Sequence, residues 1–289
     1  MSFSNDVKQE LCRADISSAT GEAFTYGLLY GFRSKKPVLL TDSECTVDCF
    51  RNILPPKSLV IKTPRERGGK SFSVEIINCE LLEKYGFYSD EINTSIVNGN
   101  DIIAGAFLRG IFLSCGSVSV QKAGYHLELS TGSLEKCENL HRLINEQGMR
   151  IEMSSRKSAY FLYSKDSENI SDFLTFIGAM QSSMEIMNIK IIKEVRSNIN
   201  RKVNCEAANI EKTASASAKQ IMDIRTIQEK TGLEVLPEEL REIAALRLEN
   251  PDVSLSGLGR LLSEPISRSG VNHRLARISK LAEELRKEK

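Results

Sequence analysis

Residues 254–281 read SLSGLGRLLSEPISRSGVNHRLARISKL, and this pattern decides how the C-terminal part of the chain folds. Ser254 is placed to cap a helix in which Leu255, Leu258, Leu261 and Leu262 recur at helical spacing. Ser263-Glu264-Pro265 ends that helix, because proline has no N–H to donate and disfavours the α conformation in its predecessor. A second helix is expected to begin near Ser267 or Ser269, with Val271, Leu275, Ile278 and Leu281 (or Leu285) as its inward stripe. Its other face carries Arg268, Asn272, His273, Arg274 and Arg277. This is the anatomy of a helix-turn-helix, whose second helix enters the major groove and offers its N-terminal residues to base edges.

Charge agrees with that placement only locally. The whole chain has 39 basic and 38 acidic residues, so net charge points to no nucleic-acid partner. Between Pro265 and Lys280, however, Arg268, Arg274, Arg277 and Lys280 are accompanied by no acid, the footprint expected for phosphate contact. A solvated amphipathic helix in a small bundle would read the same way, and that alternative stays open. The candidate DNA contacts are Ser267, Arg268, Ser269, Asn272, His273, Arg274, Arg277 and Lys280. Asn272 suits bidentate bonding to adenine and Arg268 or Arg274 to guanine, while His273 suits a phosphate contact or packing.

Moving upstream, LPEELREIAALRLENPD (236–252) is a helix with Pro237 in its first turn and Asn250-Pro251 at its stop. It supplies a third helix for the pair to pack against. Before it, residues 204–232 read as one long helix ended by Gly232, with an Ala/Ser-rich middle expected to be a thinly packed connector. Residues 182–200 form a further helix. The expected organisation is a domain over 1–200 with two repeats (about 1–90 and 91–200), a helical linker over 201–235 and a small all-α domain over 236–289.

The repeat is carried by two helices that are apolar nearly all round, Gly21–Phe32 and Asp101–Ser114, each of which must be buried on more than one side. Gly27 and Gly110 hold equivalent places in them. Around these helices the order helix, hairpin, helix, hairpin, helix recurs. A helix over 2–13 capped by Ser4 or Asn5 precedes the first; Pro37–Leu40 is a strand, 42–54 a helix, 58–77 a hairpin and 79–87 a short helix. In the second half, strands over 117–120 and 125–130 precede a helix capped by Ser133 and stopped by Gly148, then the hairpin 149–165 and the helix 170–180. Such a repeat implies an α+β, pseudo-two-fold domain with the glycine helices side by side and a sheet on each flank.

Composition bounds the rest. At 289 residues, 41% apolar and 27% charged, the chain has the make-up of a soluble globular protein. It has no run of about 18 apolar residues and a polar N-terminus, so neither a membrane span nor a signal peptide is expected. The seven scattered cysteines read as reduced thiols of a cytosolic protein. Cys45 and Cys49 are one helical turn apart, but zinc would need two more ligands, and His126, His141 and His273 offer no matching spacing. Core thiols fit better, and no cofactor is expected.

Three segments together resemble the WhiA family: IAGAFLRGIFLSCGSVS with GYHLELS (103–130), NRKVNCEAANIEKT (200–213), and LPEELREIAALRLENPDVSLSGLGRLL with ISRSGVNHRL (236–275). The resemblance covers essentially the whole chain. It implies a LAGLIDADG homing-endonuclease-like domain followed by a helix-turn-helix domain. It also implies a DNA-binding transcriptional regulator tied to sporulation in filamentous actinobacteria and to cell division and chromosome segregation in other Gram-positives. One departure is the stretch before the first glycine helix, where the family often has a cysteine pair and an arginine and this chain has SSATGEAF.

Kinship with homing endonucleases implies a test. In those enzymes an acid near the end of each glycine helix holds divalent metal; here the positions fall on Phe32 and Cys115, and Asp101 lies at the wrong end of its helix. Neither residue offers the hard oxygen that Mg²⁺ requires, so cleavage and a metal cofactor are not expected. In the saddle such a fold lays over DNA, the turn between Lys57 and Lys70 would approach the backbone, making Lys62, Arg65, Arg67 and Lys70 candidate phosphate contacts. An ordinary solvated loop is the competing reading, and Arg156 and Lys157 fall on the corresponding second-half hairpin. Three functions therefore compete: a DNA-binding regulator without nuclease activity, a metal-dependent nuclease, and a protein-docking scaffold of the division machinery. The expected partners are double-stranded DNA and other regulators or division proteins, with the chain a monomer or weak oligomer, cytoplasmic and nucleoid-associated.

Overall fold

The computed structural model describes residues 2–63, 71–121, 124–157 and 159–287. The chain divides into two compact units, Met1–Lys193 and Glu194–Lys289. In the first, α1 (Phe3–Arg13), α2 (Ser18–Tyr30), β1 (Val38–Thr41), α3 (Glu44–Ile53), β2 (Leu59–Lys62), β3 (Phe72–Ile76) and α4 (Cys79–Lys84) make one half. The second half comprises α5 (Thr94–Val97), α6 (Asp101–Cys115), β4 (Gly116–Gln121), β5 (Gly124–Thr131), α7 (Leu134–Glu146), β6 (Glu152–Arg156), β7 (Ala159–Ser164) and α8 (Ser167–Phe176).

The two glycine helices, α2 and α6, lie against each other at the centre. A Cβ on Gly27 would overlap the Phe107 carbonyl, and one on Gly110 would fall on Phe24 O and lie 2.6 Å from Leu28 N. Only glycine permits backbones this close. Phe24, Leu28, Leu29, Phe107, Leu108, Ile111 and Phe112 fill the space around the crossing, each at most 1% exposed. Each such side chain contributes about 1.5–3 kcal/mol of burial. Arg109 is the one basic residue of α6, and its guanidinium donates to Leu11 O and Ala14 O, so it serves orphan carbonyls at the end of α1.

The sheets have orders β1-β3-β2 and β4-β5-β7-β6 and are antiparallel throughout. Alternation sets their faces: Phe72, Val74 and Ile76 point inward on β3, and Leu127 and Leu129 on β5. Matching the sheets pairs β1 with β5, β3 with β7 and β2 with β6. The first half therefore has a single strand, β1, matching the strand expected over 37–40, and among the described residues nothing equivalent to β4. The full helix, hairpin, helix, hairpin, helix order holds only in the second half. In place of β4 run exposed Arg33, Ser34, Lys35 and Lys36, ahead of Pro37, a charged stretch without strand propensity.

Several local expectations need correction. Ser4 and Asn5 do not cap α1: the cap position is Ser2, and Ser4 Oγ instead accepts from Val118 N at 3.3 Å. α2 begins at Ser18, before Gly21, and ends at Tyr30, so Phe32 lies past the helix. The short α5, capped by Asn93, had no apolar period to announce it. Ser133 caps α7 as expected, accepting from Lys136 N, and Gly148 beyond it takes φ +78°.

One helix, α9 (Met180–Lys230), replaces the two expected over 182–200 and 204–232, since no proline or glycine interrupts it. The second unit is completed by a 3₁₀ turn at Leu233–Val235, α10 (Glu238–Glu249), α11 (Leu255–Leu261) and α12 (Arg268–Lys287). Its core joins Leu240 and Ile243 of α10, Leu258 of α11, and Val271, Leu275, Ile278 and Ala282 of α12. Ile224 and Ile227 of α9 are buried with them, so this end of the long helix is core rather than a bare connector. The inward stripe of α12 runs through Ala282, with Leu285 half-buried, whereas Leu281 is 38% exposed.

Candidate nucleic-acid interface

The turn between α11 and α12 is built by short-range chemistry. Ser254 Oγ accepts from Gly257 N at 3.2 Å and starts α11. A Cβ on Gly259 would strike the Ile266 carbonyl, and Ile266 N donates to Gly259 O at 3.1 Å, which folds the Pro265 segment back. Ser263 N donates to Glu242 Oε1 at 2.6 Å, tying the turn to α10. Ser267 then caps α12, its Oγ accepting from Gly270 N at 3.3 Å. The start of α12 is thereby held by contacts to both neighbouring helices.

The candidate contacts divide into two groups. Ser267, Arg268, Ser269, Asn272, His273, Arg277 and Lys280 are exposed, and Arg274 is half-buried. Arg274 and Arg277 both face Glu239 of α10, at 3.6 Å and 2.7 Å. Their charge is thus partly answered within the protein. Arg268 and Asn272, one turn apart, instead line a cavity of about 440 Å³ together with Lys212 and Gln220 of α9, Arg247 of α10 and Ser256 of α11. Sequence reasoning singled out none of the last four. Arg247 is 2% exposed; its Nη1 donates to Val253 O at 2.8 Å, and burial lowers its pKa below the ordinary arginine value.

In the N-terminal unit, Phe32 and Cys115 are the positions expected to match the acids of a homing endonuclease. Phe32 is 1% exposed and packs edge-on against Phe50 and Phe87. Cys115 ends α6, fully enclosed; burial pushes its thiol up to about 11, against the opposing influence of Arg33 and Lys8. A cavity of about 620 Å³ beside it is lined by Lys8, Arg33, Asp42 and Ser114, so among the described residues cations outnumber the one carboxylate. Burial also lowers the Lys8 pKa, with Asp42 opposing. Among the described residues, no group of three or more His, Cys, Asp or Glu side chains could hold a metal ion.

Among the described sheet residues, Lys62 and Arg156 are already engaged within the protein. Lys62 Nζ lies 3.3 Å from Glu75 Oε2; Arg65, Arg67 and Lys70 lie outside the described residues. On the outward face of the second sheet, Glu128 pairs with His126 at 3.3 Å and Glu152 accepts from the Tyr163 hydroxyl at 2.5 Å. Arg156 is laid over the Phe161 ring, its guanidinium carbon 5.5 Å from the centroid. No helix among the described residues is long and apolar enough to cross a membrane.

With this geometry in view, comparison with known proteins is specific. Residues 104–196 match the model of the WhiA LAGLIDADG-like domain, and residues 199–282 match that of the WhiA C-terminal HTH domain. The chain is 38% identical to the probable cell division protein WhiA of Clostridium acetobutylicum, covering 100% of this chain and 99% of that protein. It is 47% identical to the protein of the same name from Clostridium beijerinckii, covering 100% of both. Among solved structures, full-length DUF199/WhiA from Thermotoga maritima superposes with a TM-score of 0.57 at 26% identity, covering 98% of this chain and 99% of that one.

Proposed function

The chain belongs to the WhiA family, and from that premise we propose that it is a DNA-binding transcriptional regulator acting in cell division, without nuclease activity. Its place of work is the cytoplasm, on the nucleoid. The observation that carries this reading is the start of α12. Arg268, Ser269, Asn272 and His273 are exposed together at the N-terminus of the second helix of a helix-turn-helix, where base edges are read. None of them is engaged by a carboxylate among the described residues. Asn272 is assigned to adenine and Arg268 to guanine, with His273 and Lys280 at phosphates.

The absence of nuclease activity rests on chemistry at Phe32 and Cys115. An aromatic ring and a buried, protonated thiol cannot ligate a hard divalent cation, and Lys8 and Arg33 beside them repel one. Glu75, Glu128 and Glu152 on the outward sheet faces favour a protein partner over a phosphate backbone for the N-terminal unit.

The test is selection of a preferred duplex by the full chain, followed by titration of that duplex and of a random one. Asn272→Ala should lose about 1–3 kcal/mol of discrimination while keeping its affinity for random DNA. Equal losses on both duplexes would remove the base-reading assignment.

A further inference from the structure

The cavity at the start of α12 has no role in the reading above beyond its two α12 residues. It gathers three cations from three helices, Lys212, Arg247 and Arg268, and among the described residues no carboxylate lines it. The contrast with the neighbouring face is direct, since Arg274 and Arg277 there are engaged by Glu239. Arg247 is 2% exposed, yet its Nε has no hydrogen-bond partner among the described residues. Gln220 adds a second buried polar atom, Oε1, that is likewise without a partner. A half-turn of that amide would exchange the acceptor for an N–H donor. A buried donor left unmet costs about 1–3 kcal/mol, so such a group points to a ligand that supplies the acceptor.

We propose that this cavity is a phosphate seat, formed by Lys212, Arg247 and Ser256 and bordered by Arg268 and Asn272, which takes one backbone phosphodiester of duplex DNA. Tetrahedral phosphate presents acceptors in several directions, and the donors here converge from α9, α10 and α11 in the same way. Planar carboxylate would leave part of that set unmet. The assignment to DNA rather than to a free phosphate ester follows from position, because Arg268 and Asn272 of the proposed base-reading helix border the seat. In this respect the inference rests on the DNA-binding reading and extends it to α9, whose Lys212 becomes part of the interface. Arg247 is buried under the seat and also holds the α10–α11 connection through Val253 O, so it would couple phosphate occupancy to the placement of α11.

Lys212 is exposed, so its replacement leaves the core intact. Full-length wild type and Lys212→Ala are titrated with a long duplex of mixed sequence at several salt concentrations. In parallel, the melting temperature of each is followed with inorganic phosphate against chloride of equal ionic strength. The expected result is a salt slope of log K shallower by about 0.9 in the variant, with affinity reduced about threefold or more on every sequence. Wild-type binding with an unchanged slope in Lys212→Ala overturns the seat and leaves base reading by α12 standing. Stabilisation by inorganic phosphate that Lys212→Ala abolishes, together with an unchanged slope, overturns the DNA assignment in favour of a free phosphate ester. Salt-dependent binding absent from the wild type itself removes the DNA-binding reading, and the seat's DNA assignment with it.

Discussion

Replacing Glu239 by glutamine is expected to tighten binding to duplex DNA while scarcely changing stability. Glu239 stands 2.7 Å from Arg277 and 3.6 Å from Arg274, and its side chain is 45% exposed. Pairs as exposed as these contribute about 0.2–1 kcal/mol each, so Glu239→Gln should lower the unfolding free energy by roughly 1 kcal/mol or less. On the DNA side the change acts in the opposite direction. It frees two guanidiniums and removes a carboxylate that would otherwise repel phosphates across the interface. At separations of about 8 Å, each such repulsion is worth roughly 0.5–2 kcal/mol before screening. Screening over about 8–10 Å trims that figure in physiological salt. A gain of about three- to tenfold in affinity should remain, with a steeper salt dependence. Fluorescence anisotropy of a labelled mixed-sequence duplex at several salt concentrations measures the affinity, and urea unfolding measures the stability. Weaker binding by Glu239→Gln would refute the reasoning. It would mean that Glu239 aims Arg274 and Arg277 at DNA, so that the ion pairs organise the interface instead of competing with it.

Further outcomes are expected from the N-terminal unit. Gly110→Ala should destabilise it by about 3 kcal/mol or more, since the added methyl meets α2 backbone atoms, Phe24 O and Leu28 N, which cannot turn aside; thermal melts decide this. Cys79 and Cys205 are exposed and should react with a thiol reagent in the native protein, whereas Cys115 should react only on unfolding, as mass spectrometry of labelled peptides would report. Because burial holds the Cys115 thiol up to about 11 against an ordinary 9.0, only the unfolded thiol ionises between those values. Stability should therefore fall as pH rises through that window by about 1.4 kcal/mol per unit, and Cys115→Ala should lose that part of the slope in pH-dependent unfolding. Purified protein should leave supercoiled plasmid intact with Mg²⁺ or Mn²⁺; nicking that copurifies with the chain and disappears on mutation of Asp42 would contradict this.

Much of this architecture was legible because it is written in local chemistry. Ser133 and Ser254 sit at helix starts with the side-chain bonds their positions imply. Gly27 and Gly110 announced a close helix crossing because apolar residues surround both. The misreadings have equally physical causes. The step of α12 is four, three, four from Val271, which lands on Ala282; Leu281, though the larger apolar residue, lies about a hundred degrees round the helix. The length of α9 was visible in its lack of proline and glycine, but burial of Ile224 and Ile227 depends on α10 and α12 reaching them from later in the chain. Among the candidate site residues, the exposed face of α12 followed from periodicity alone. Glu239, Lys212, Arg247 and Gln220 did not, because each reaches the site from another helix and only the packing brings them there. The single strand over 37–40 was legible, but the charged Arg33–Lys36 run ahead of it breaks the repeat symmetry by standing where the second half has β4.

The central claim is that the start of α12 directs this protein to particular DNA sequences. Genome-wide DNA crosslinking of the full chain in its own cells tests it most directly, comparing wild type with the double variant Arg268→Ala, Asn272→Ala at equal abundance. Wild type should be enriched at discrete sites sharing a sequence, and the variant should lose that enrichment while remaining folded. Enrichment at the same sites in the double variant would contradict the claim.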